Sequence, residues 1–464
     1  MINILPGNVR FCSIVLIVSI LGLLSGLTQH WPSPIFSQLS TNENPLGRAL
    51  TAAEQNWMVS LPYLGGLLGP PMSGLIMEKW GRKSALFGAY VTGVVCSLAA
   101  ALGTQTWHLY LSRATAGMSA YSGIIVAAVY LGEIADERYR GVVYSSIPLS
   151  VSAGMLMCFW IGLYASIAQL HFTILAVALL GLMLTGFLPE SPYYLLQRLQ
   201  SGNAGKSLSL LRNSDDILGE LTLIQAHVAK TGNLQSKAVR KSLGIVPGLV
   251  VLAQFSGSVA IRGNIRSLFL KTGWSISDNA AGVVIGIIQI CSSVFTMGVD
   301  WMGRKNMLTF ASFGLAFLLG ILGIYFQFLD ESLENYAEIT WLPLLVFMGY
   351  FLLFYSSLSS LPLLYITEIM PLNIKSLTGG FLMALQSLLS FLLVFFYDHM
   401  VKGLGTSGYF YVSSIAMLGL ALYVQIMLFE TKGRSLDEIF IQMNKSKRSK
   451  GAFSKNAPEN CENL

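Results

Sequence analysis

The sequence predicts an all-α membrane protein with twelve spanning helices, and two observations carry that prediction. Only 11% of the 464 residues are charged, against about 25% in soluble domains, whereas 53% are hydrophobic. Apolar stretches long enough to cross a bilayer, roughly 20 residues each, recur along the whole chain. This composition excludes an ordinary soluble enzyme, a disordered protein and a nucleic-acid binder with a basic surface, so membrane lipid is the expected surrounding partner.

The apolar stretches fall into two groups of six, separated by one long polar interval. The expected spans are 11–29, 56–77, 84–103, 107–131, 142–163 and 168–188, then 243–268, 279–299, 306–328, 341–367, 377–398 and 407–428. We therefore expect an N-terminal six-helix half over 1–188 and a C-terminal half over 243–428. Short amphipathic helices are expected in the linker 189–242, and a basic tail over 429–464.

The distribution of lysine and arginine predicts the orientation of these spans. Cytoplasmic loops carry an excess of both residues, and here the excess follows the even-numbered spans, as in Arg82-Lys83 and Arg304-Lys305. The loop after span nine carries only acidic charges, from Asp330 to Glu338. We therefore expect both termini, the linker and the tail to be cytoplasmic.

Three charged motifs occur twice, in the same order, about half a chain length apart. The pairs are Gly81-Arg82-Lys83 with Gly303-Arg304-Lys305, Glu133 and Arg140 with Glu368 and Lys375, and Glu190 with Glu430. This repetition predicts two parallel six-helix halves, an arrangement typical of secondary transporters. A small-molecule solute is therefore the expected partner.

The duplicated motifs also predict an ionic gate on the cytoplasmic side. A tight turn between helices needs glycine for its backbone angles, after which Glu78 could pair with Arg82, and Asp300 with Arg304, across the helix ends. Desolvation there would strengthen the attraction. The alternative is that these charges serve only to orient the spans. The residues assigned to the gate are Glu78, Arg82, Arg113, Glu133, Arg140, Glu190, Asp300, Arg304, Glu368, Lys375 and Glu430.

Further motifs extend the pattern over nearly the whole chain. They are Arg113, Tyr130-Leu131-Gly132-Glu133, Arg140-Gly141, Pro189-Glu190-Ser191-Pro192, Gln254-Phe255-Ser256-Gly257, Glu368-Ile369-Met370-Pro371 and Glu430-Thr431-Lys432-Gly433-Arg434. With them the sequence resembles the sugar porter family of the major facilitator superfamily. Gly26 and the run Trp31-Pro32-Ser33-Pro34 look most like the insect facilitated trehalose and glucose transporters. The resemblance implies the major facilitator fold and sugar transport by alternating access in the plasma membrane.

The resemblance also implies a central sugar site, but several family positions differ in this chain. Apolar residues stand where the family usually has hydrogen-bonding or stacking side chains, at Pro148, Ala253, Val259 and Leu363. The remaining candidates for substrate binding are Gln254, Gln289, Gln386, Ser359 and Ser360. The alternative for each is an ordinary hydrogen bond between helices.

Two arginines inside span seven form a separate candidate site. Charges within a membrane span are costly and usually functional, and the i, i+4 spacing of Arg262 and Arg266 puts both on one helical face. We expect them near the extracellular end, where they would form a basic outer vestibule for an anionic or strongly polar solute. The alternative is that both side chains extend to the membrane surface.

The mode of transport follows from a difference from proton-driven relatives. Proton-coupled sugar porters commonly carry an aspartate in span one, near the span-four arginine, whereas span one here has no carboxylate. We therefore expect facilitative transport (uniport) of a sugar such as trehalose or glucose. The alternatives are a porter for another small polar or anionic solute and a non-transporting solute sensor. No metal site, cofactor or catalytic constellation is expected, and the protein is not expected to be an enzyme.

Overall fold

The structure is a computed structural model in which all the regular elements of the described residues are helical. It describes residues 9–39, 46–136, 140–212, 217–230, 237–264, 268–269, 271, 278–297, 302–331, 341–434, 438–439 and 442–443. The expected all-α class is confirmed over these ranges.

The part of the chain before the linker forms a bundle of long helices. They are α1 (Val9–His30), α2 (Pro32–Leu39), α3 (Ala52–Trp80), α4 (Arg82–Ala101), α5 (Thr106–Ile134), α6 (Arg140–Gly162) and α7 (Ile167–Thr185). Helix α5 packs against α1, α3 and α4, and its second half is almost wholly buried.

Three shorter helices follow in the polar linker. They are α8 (Pro192–Gln197), α9 (Ser201–Arg212) and α10 (Leu218–Lys230). Pro192 occupies the first turn of α8, a position where the missing N–H costs nothing. A small apolar cluster that includes Leu196, Leu208 and Ile224 holds the three helices together.

The part after the linker forms a second bundle in which two of the segments are broken. It comprises α11 (Lys237–Gln254), α12 (Ser258–Gly263), α13 (Asp278–Met297), α14 (Arg304–Glu331), α15 (Leu342–Leu353), a π-helical turn (Phe354–Leu358), α16 (Leu361–Ile369), α17 (Leu372–Phe395) and α18 (Tyr397–Met427). Gly405, with φ +77°, kinks α18.

Ten helical segments among the described residues are long and apolar enough to cross a membrane, which supports a multi-pass membrane protein. They are 9–35, 82–101, 106–134, 140–162, 167–185, 239–263, 304–329, 342–369, 374–395 and 397–427. The helices at the expected second and eighth spans are outside this set. Helix α3 carries three prolines, and the apolar part of α13 is only Gly282–Thr296.

The two bundles contact each other along α3 with α17 and along α6 with α13. Glycine permits the close approach of α3 and α17, because a Cβ on Gly74 would lie 2.8 Å from the Ser376 carbonyl oxygen. A Cβ on Gly380 would also clash with the Pro70 carbonyl of α3. Backbone therefore touches backbone at this interface, near the end of the molecule predicted to be cytoplasmic.

Candidate functional site

A cavity of about 160 Å³ lies between the two bundles. Both bundles line it, through α1, α5 and α6 on one side and α11, α12, α13, the π-helical turn, α16 and α17 on the other. Its polar lining residues are Gln29, His30, Tyr121, Tyr144, Gln254, Ser258, Arg262, Gln289, Tyr355, Ser359, Ser360, Gln386 and Ser390. A cavity with apolar walls and a few convergent polar groups is the usual form of a small-molecule site.

Two helix breaks bring polar side chains to the cavity wall. Helix α11 ends at Gln254. Gly257 adopts a left-handed backbone conformation, with a φ of +78°, immediately before α12 begins. The Tyr350 hydroxyl donates to the Ser256 carbonyl at 2.9 Å and so satisfies part of the exposed backbone. In the facing segment the π-helical turn leads directly to Ser359 and Ser360.

All five side chains predicted to bind substrate line this one cavity: Gln254, Gln289, Gln386, Ser359 and Ser360. The Ser390 hydroxyl donates to Gln254 Oε1 at 2.9 Å. Gln289 Oε1 and Ser360 Oγ are buried and have no hydrogen-bond partner within the described part of the chain. Their role as substrate ligands stays a prediction, but their shared location gives it a geometric basis.

Arg262 lines this cavity together with Gln29 and His30 at the end of α1, and its role in an outer vestibule stays a prediction. Its Nε donates to the Ser258 carbonyl at 3.2 Å and its Nη1 to the Tyr355 hydroxyl at 3.4 Å. The sequence pattern predicted one unbroken helix, whereas the break at Gly257 starts a new helix that directs Arg262 inward. Arg266 lies outside the described residues.

Several cavity residues were missed by the sequence reasoning, among them Gln29, His30, Tyr121 and Tyr144. Gln29 and His30 stand at the end of the first apolar stretch, where polar residues were interpreted only as the span boundary. Because His30 Nδ1 lies 2.9 Å from the Gly26 carbonyl, that nitrogen donates. The two tyrosines carry no sequence signal, since a tyrosine in an apolar run resembles any other buried aromatic residue.

Arg113 lies far from the predicted gate, which corrects its assignment there. Its Nε donates to the Met58 carbonyl at 2.7 Å, and its Nη1 donates to the carbonyls of Thr28 and Gln29 at 3.2 and 3.1 Å. Glu133 is 20 positions further along α5, a distance of roughly 30 Å at 1.5 Å per residue. Arg113 instead ties α1 to α3 and α5, next to the cavity.

The first copy of the charged motif forms a buried ion pair between α4 and α5. Arg82 Nη2 and Nε donate to the two carboxylate oxygens of Glu133 at 2.7 and 2.9 Å. Both side chains are almost fully buried, and the Ser191 hydroxyl also donates to Glu133. Two parallel bonds of this kind are the strongest arrangement available to an arginine and a carboxylate.

Glu190 completes this copy by capping the start of α4. Its carboxylate accepts from the backbone N–H groups of Arg82 at 2.9 Å and Lys83 at 3.2 Å. Carboxylates are favoured at a helix N-terminus, where unpaired N–H groups give a partial positive charge. Burial raises the pKa of the Glu190 carboxyl, while the backbone N–H donors lower it.

The second copy repeats this geometry at α14. Arg304 Nη1 lies 3.0 Å from Glu368 Oε1. Glu430 accepts from the backbone N–H groups of Arg304 at 2.9 Å and Lys305 at 3.1 Å. The turn glycines of the two copies have φ values of +96° and +86° at Gly81 and Gly303. The duplicated sequence therefore folds into two clusters that bring corresponding residues together.

The predicted pairing of Glu78 with Arg82 is wrong. Arg82 opens α4 and pairs with Glu133 of α5, while its Nη1 also donates to the Met77 carbonyl in the last turn of α3 at 3.4 Å. Glu78 instead lies close to the backbone N–H of Leu377 in α17, at the boundary between the two bundles. Asp300 lies outside the described residues.

Two further buried cations connect the clusters. Lys375 is attracted to Glu133 of the first cluster, and Arg140 is attracted to Glu368 of the second. Both cations are nearly inaccessible to solvent. Each carboxylate is therefore paired with an arginine of its own bundle and, at a longer distance, attracted to a cation of the other bundle.

The chain is similar in sequence to facilitated trehalose transporters. A facilitated trehalose transporter of Aedes aegypti is 27% identical over 434 residues, which are 91% of this chain and 54% of that protein. The chain thus spans about half the length of this relative. The Polypedilum vanderplanki facilitated trehalose transporter is 26% identical over 91% of this chain and 86% of its own length.

A solved structure shares the fold. It is a major facilitator superfamily proton:xylose symporter, XylE, bound to 6-bromo-6-deoxy-D-glucose. The TM-score is 0.80 at 20% identity, over 94% of this chain and 99% of the symporter. The profile described as "Sugar (and other) transporter" matches residues 14–441. Since that match covers most of the molecule, the chain belongs to the sugar (and other) transporter family.

Proposed function

We propose that the protein moves a sugar such as glucose or trehalose down its gradient by alternating access. The observation that carries the proposal is the polar cavity between two bundles, each of which contains one copy of a duplicated arginine–glutamate ion pair. A solute held in such a cavity can be exposed to one side of the membrane only if the bundles separate on that side. The trehalose transporters among the relatives support a sugar as the solute.

The proposed architecture is twelve spans in two parallel six-helix halves, over 1–188 and 243–428. Helices α1 and α3 to α7 would form the first half. The broken segment α11–α12, then α13, α14, the broken segment α15–α16, α17 and α18 would form the second. The linker 189–242, the tail 429–464 and both termini would be cytoplasmic, and the plasma membrane is the proposed location. The duplicated clusters support this division, because each half contains one arginine–glutamate pair and is followed by its capping glutamate, Glu190 in the linker or Glu430 in the tail.

The charged clusters are proposed to act as the cytoplasmic gate. Opening at this end must break the contact of Glu78 with α17 and separate Lys375 from Glu133 and Arg140 from Glu368. A buried carboxylate without any partner would be very costly. Each carboxylate avoids that cost, because Arg82 or Arg304 of its own bundle stays with it when the cross-bundle partner leaves.

The cavity glutamines and serines are proposed to bind the hydroxyl groups of the sugar. An amide supplies both a donor and an acceptor, and a hydroxyl does the same, so these side chains can match a polyol. Gln289 and Ser360 have unused hydrogen-bonding capacity that a sugar hydroxyl would fill. A buried polar group left unsatisfied costs roughly 1–3 kcal/mol. A sugar hydroxyl that pairs with such a group would remove that cost and so favour binding.

Facilitative transport is proposed in place of proton symport. The Arg113 guanidinium donates to backbone carbonyls, and span one contains no carboxylate that could exchange a proton near it. The observable consequence is uptake that does not depend on a pH gradient.

Counterflow of labelled glucose and trehalose into proteoliposomes tests the proposal. Uptake driven by unlabelled internal sugar, unchanged when the pH gradient is collapsed, is the expected result. Gln254→Ala is expected to reduce uptake, whereas Gln327→Ala serves as the control, because Gln327 accepts from Tyr411 and does not line the cavity. Absence of flux for both sugars contradicts the proposal, and flux that requires a proton gradient contradicts uniport.

A further inference from the structure

We infer that the central cavity selects a sugar that carries one carboxylate, that is, an acidic monosaccharide such as a uronate, over a neutral sugar. The transport of that sugar rests on the proposed function, whereas its selective binding does not. Three properties of the cavity carry the inference: its charge, its unsatisfied polar groups and its size.

The charge comes from Arg262, the one permanently charged side chain among the described residues that line the cavity. Its hydrogen-bond partners are the Ser258 carbonyl and the Tyr355 hydroxyl, both neutral, and the Tyr355 ring centroid lies 5.9 Å from the guanidinium carbon. No carboxylate oxygen of the described residues lies within 4 Å of the guanidinium.

Arg262 is partly buried, and a cation that loses part of its water without gaining a counter-ion is destabilised. The buried arginines of the gate illustrate the usual solution, since Arg82 and Arg304 each face a glutamate. Arg262 faces the space that the solute would occupy. A carboxylate on the solute would complete the missing pair with charge-assisted hydrogen bonds.

The second property is the set of unsatisfied neutral groups beside the arginine. Gln289, 6% exposed, and Ser360, 4% exposed, line the same cavity, and their Oε1 and Oγ atoms have no partner among the described residues. These groups bind hydroxyls and do not neutralise charge. The complementary ligand therefore has hydroxyl groups in addition to its anionic group, as an acidic sugar has.

The third property is size, together with the single charge. The cavity volume of about 160 Å³ lies below the roughly 300–1,000 Å³ of pockets for drug-sized ligands, so of the two sugars proposed as solutes the monosaccharide glucose matches this cavity better than the disaccharide trehalose. Arg113 does not supply a second charge, because it lies outside the lining and donates to backbone carbonyls. One guanidinium matches one carboxylate.

Binding to the purified full-length protein in detergent tests the inference, with D-glucuronate, its neutral amide and D-glucose as probes. Glucuronate is expected to bind at least about tenfold more tightly than the amide, as a charge-assisted hydrogen bond predicts. Arg262→Gln should remove that preference, while Arg262→Lys should keep part of it. Elution in size-exclusion chromatography checks that both variants are folded.

Equal binding of glucuronate and its amide overturns the inference, as does binding of none of the three probes or a preference that survives in Arg262→Gln. Counterflow of glucuronate and glucose separates the inference from the proposed function. Glucose flux without preferential glucuronate binding refutes only the inference. Preferential glucuronate binding without any flux refutes only transport.

Discussion

The two charged clusters of the gate have the same sequence motif but differ in how tightly they are built. Arg82 binds both oxygens of Glu133 at 2.7 and 2.9 Å, and the Tyr194 ring of α8 covers its guanidinium at 5.2 Å. Arg304 approaches Glu368 through one nitrogen at 3.0 Å, and the same nitrogen also donates to Thr431 at 3.2 Å. A shared motif therefore specifies the partners, whereas the surrounding side chains decide how firmly they are held.

The first and largest test is Arg82→Ala. It leaves Glu133 buried with the Ser191 hydroxyl and the more distant Lys375, and loss of one partner of a buried pair costs about 3–5 kcal/mol. The melting temperature in detergent should fall markedly. Arg48→Ala is the control, because Arg48 also pairs with a glutamate, Glu54 at 2.6 Å, but is half exposed. Equal melting temperatures for Arg82→Ala and Arg48→Ala would show that burial of the Arg82–Glu133 pair adds no stability.

Arg304→Ala should have a smaller effect than Arg82→Ala. The contact that it removes from Glu368 is single, and Arg140 remains attracted to the same carboxylate. We expect a loss of about 1–3 kcal/mol, the cost of leaving a buried polar group without a partner. The melting temperatures of the two variants, measured side by side, decide the point. A larger loss for Arg304→Ala would reverse the ranking of the clusters.

Gly81→Ala and Gly303→Ala should each destabilise the protein more than alanine at a turn glycine that has open space around it. Residues held in unfavourable backbone regions cost about 1–3 kcal/mol, and an added Cβ at Gly81 or Gly303 would approach Glu190 or Glu430 closely. Gly433→Ala is the control, because Gly433 has φ +64° but open space around it. If the control is as destabilised as Gly81→Ala, backbone strain alone accounts for the effect and the fit of the glutamate cap contributes nothing.

The smallest expected effect is at the hydroxyl groups of the two clusters. Ser191 donates to Glu133, and Thr431 accepts from Arg304. Ser191→Ala and Thr431→Val should each cost about 0.5–1.5 kcal/mol. The variant Ser191→Ala should be the more destabilised of the two, since it also removes the hydroxyl that caps Tyr194 at the start of α8. Denaturation in detergent measures both, and the opposite order would count against a tighter first cluster.

The candidate site was predictable where a residue type alone carries the chemistry. Gln254, Gln289 and Gln386 are polar residues in apolar runs, and such residues are expected to face protein or a cavity and not lipid. Tyr121 and Tyr144 were not predictable, because tyrosine is found in packed cores as well as in the walls of cavities. Arg262 was recognised as unusual, but its location depends on the helix break at Gly257.

The sequence by itself determined the solvent of the protein, the positions of its apolar segments and the duplication of its charged motifs. These properties are local, since hydropathy and motif spacing do not depend on how the helices pack. Only the tertiary structure decided that Arg82 pairs with Glu133, that Arg113 lies at the opposite end of α5 and that Arg262 faces the cavity. Each of these three features depends on residues that are far apart in the chain. Their geometry therefore follows from helix packing and from the turns between helices, which residue spacing does not encode.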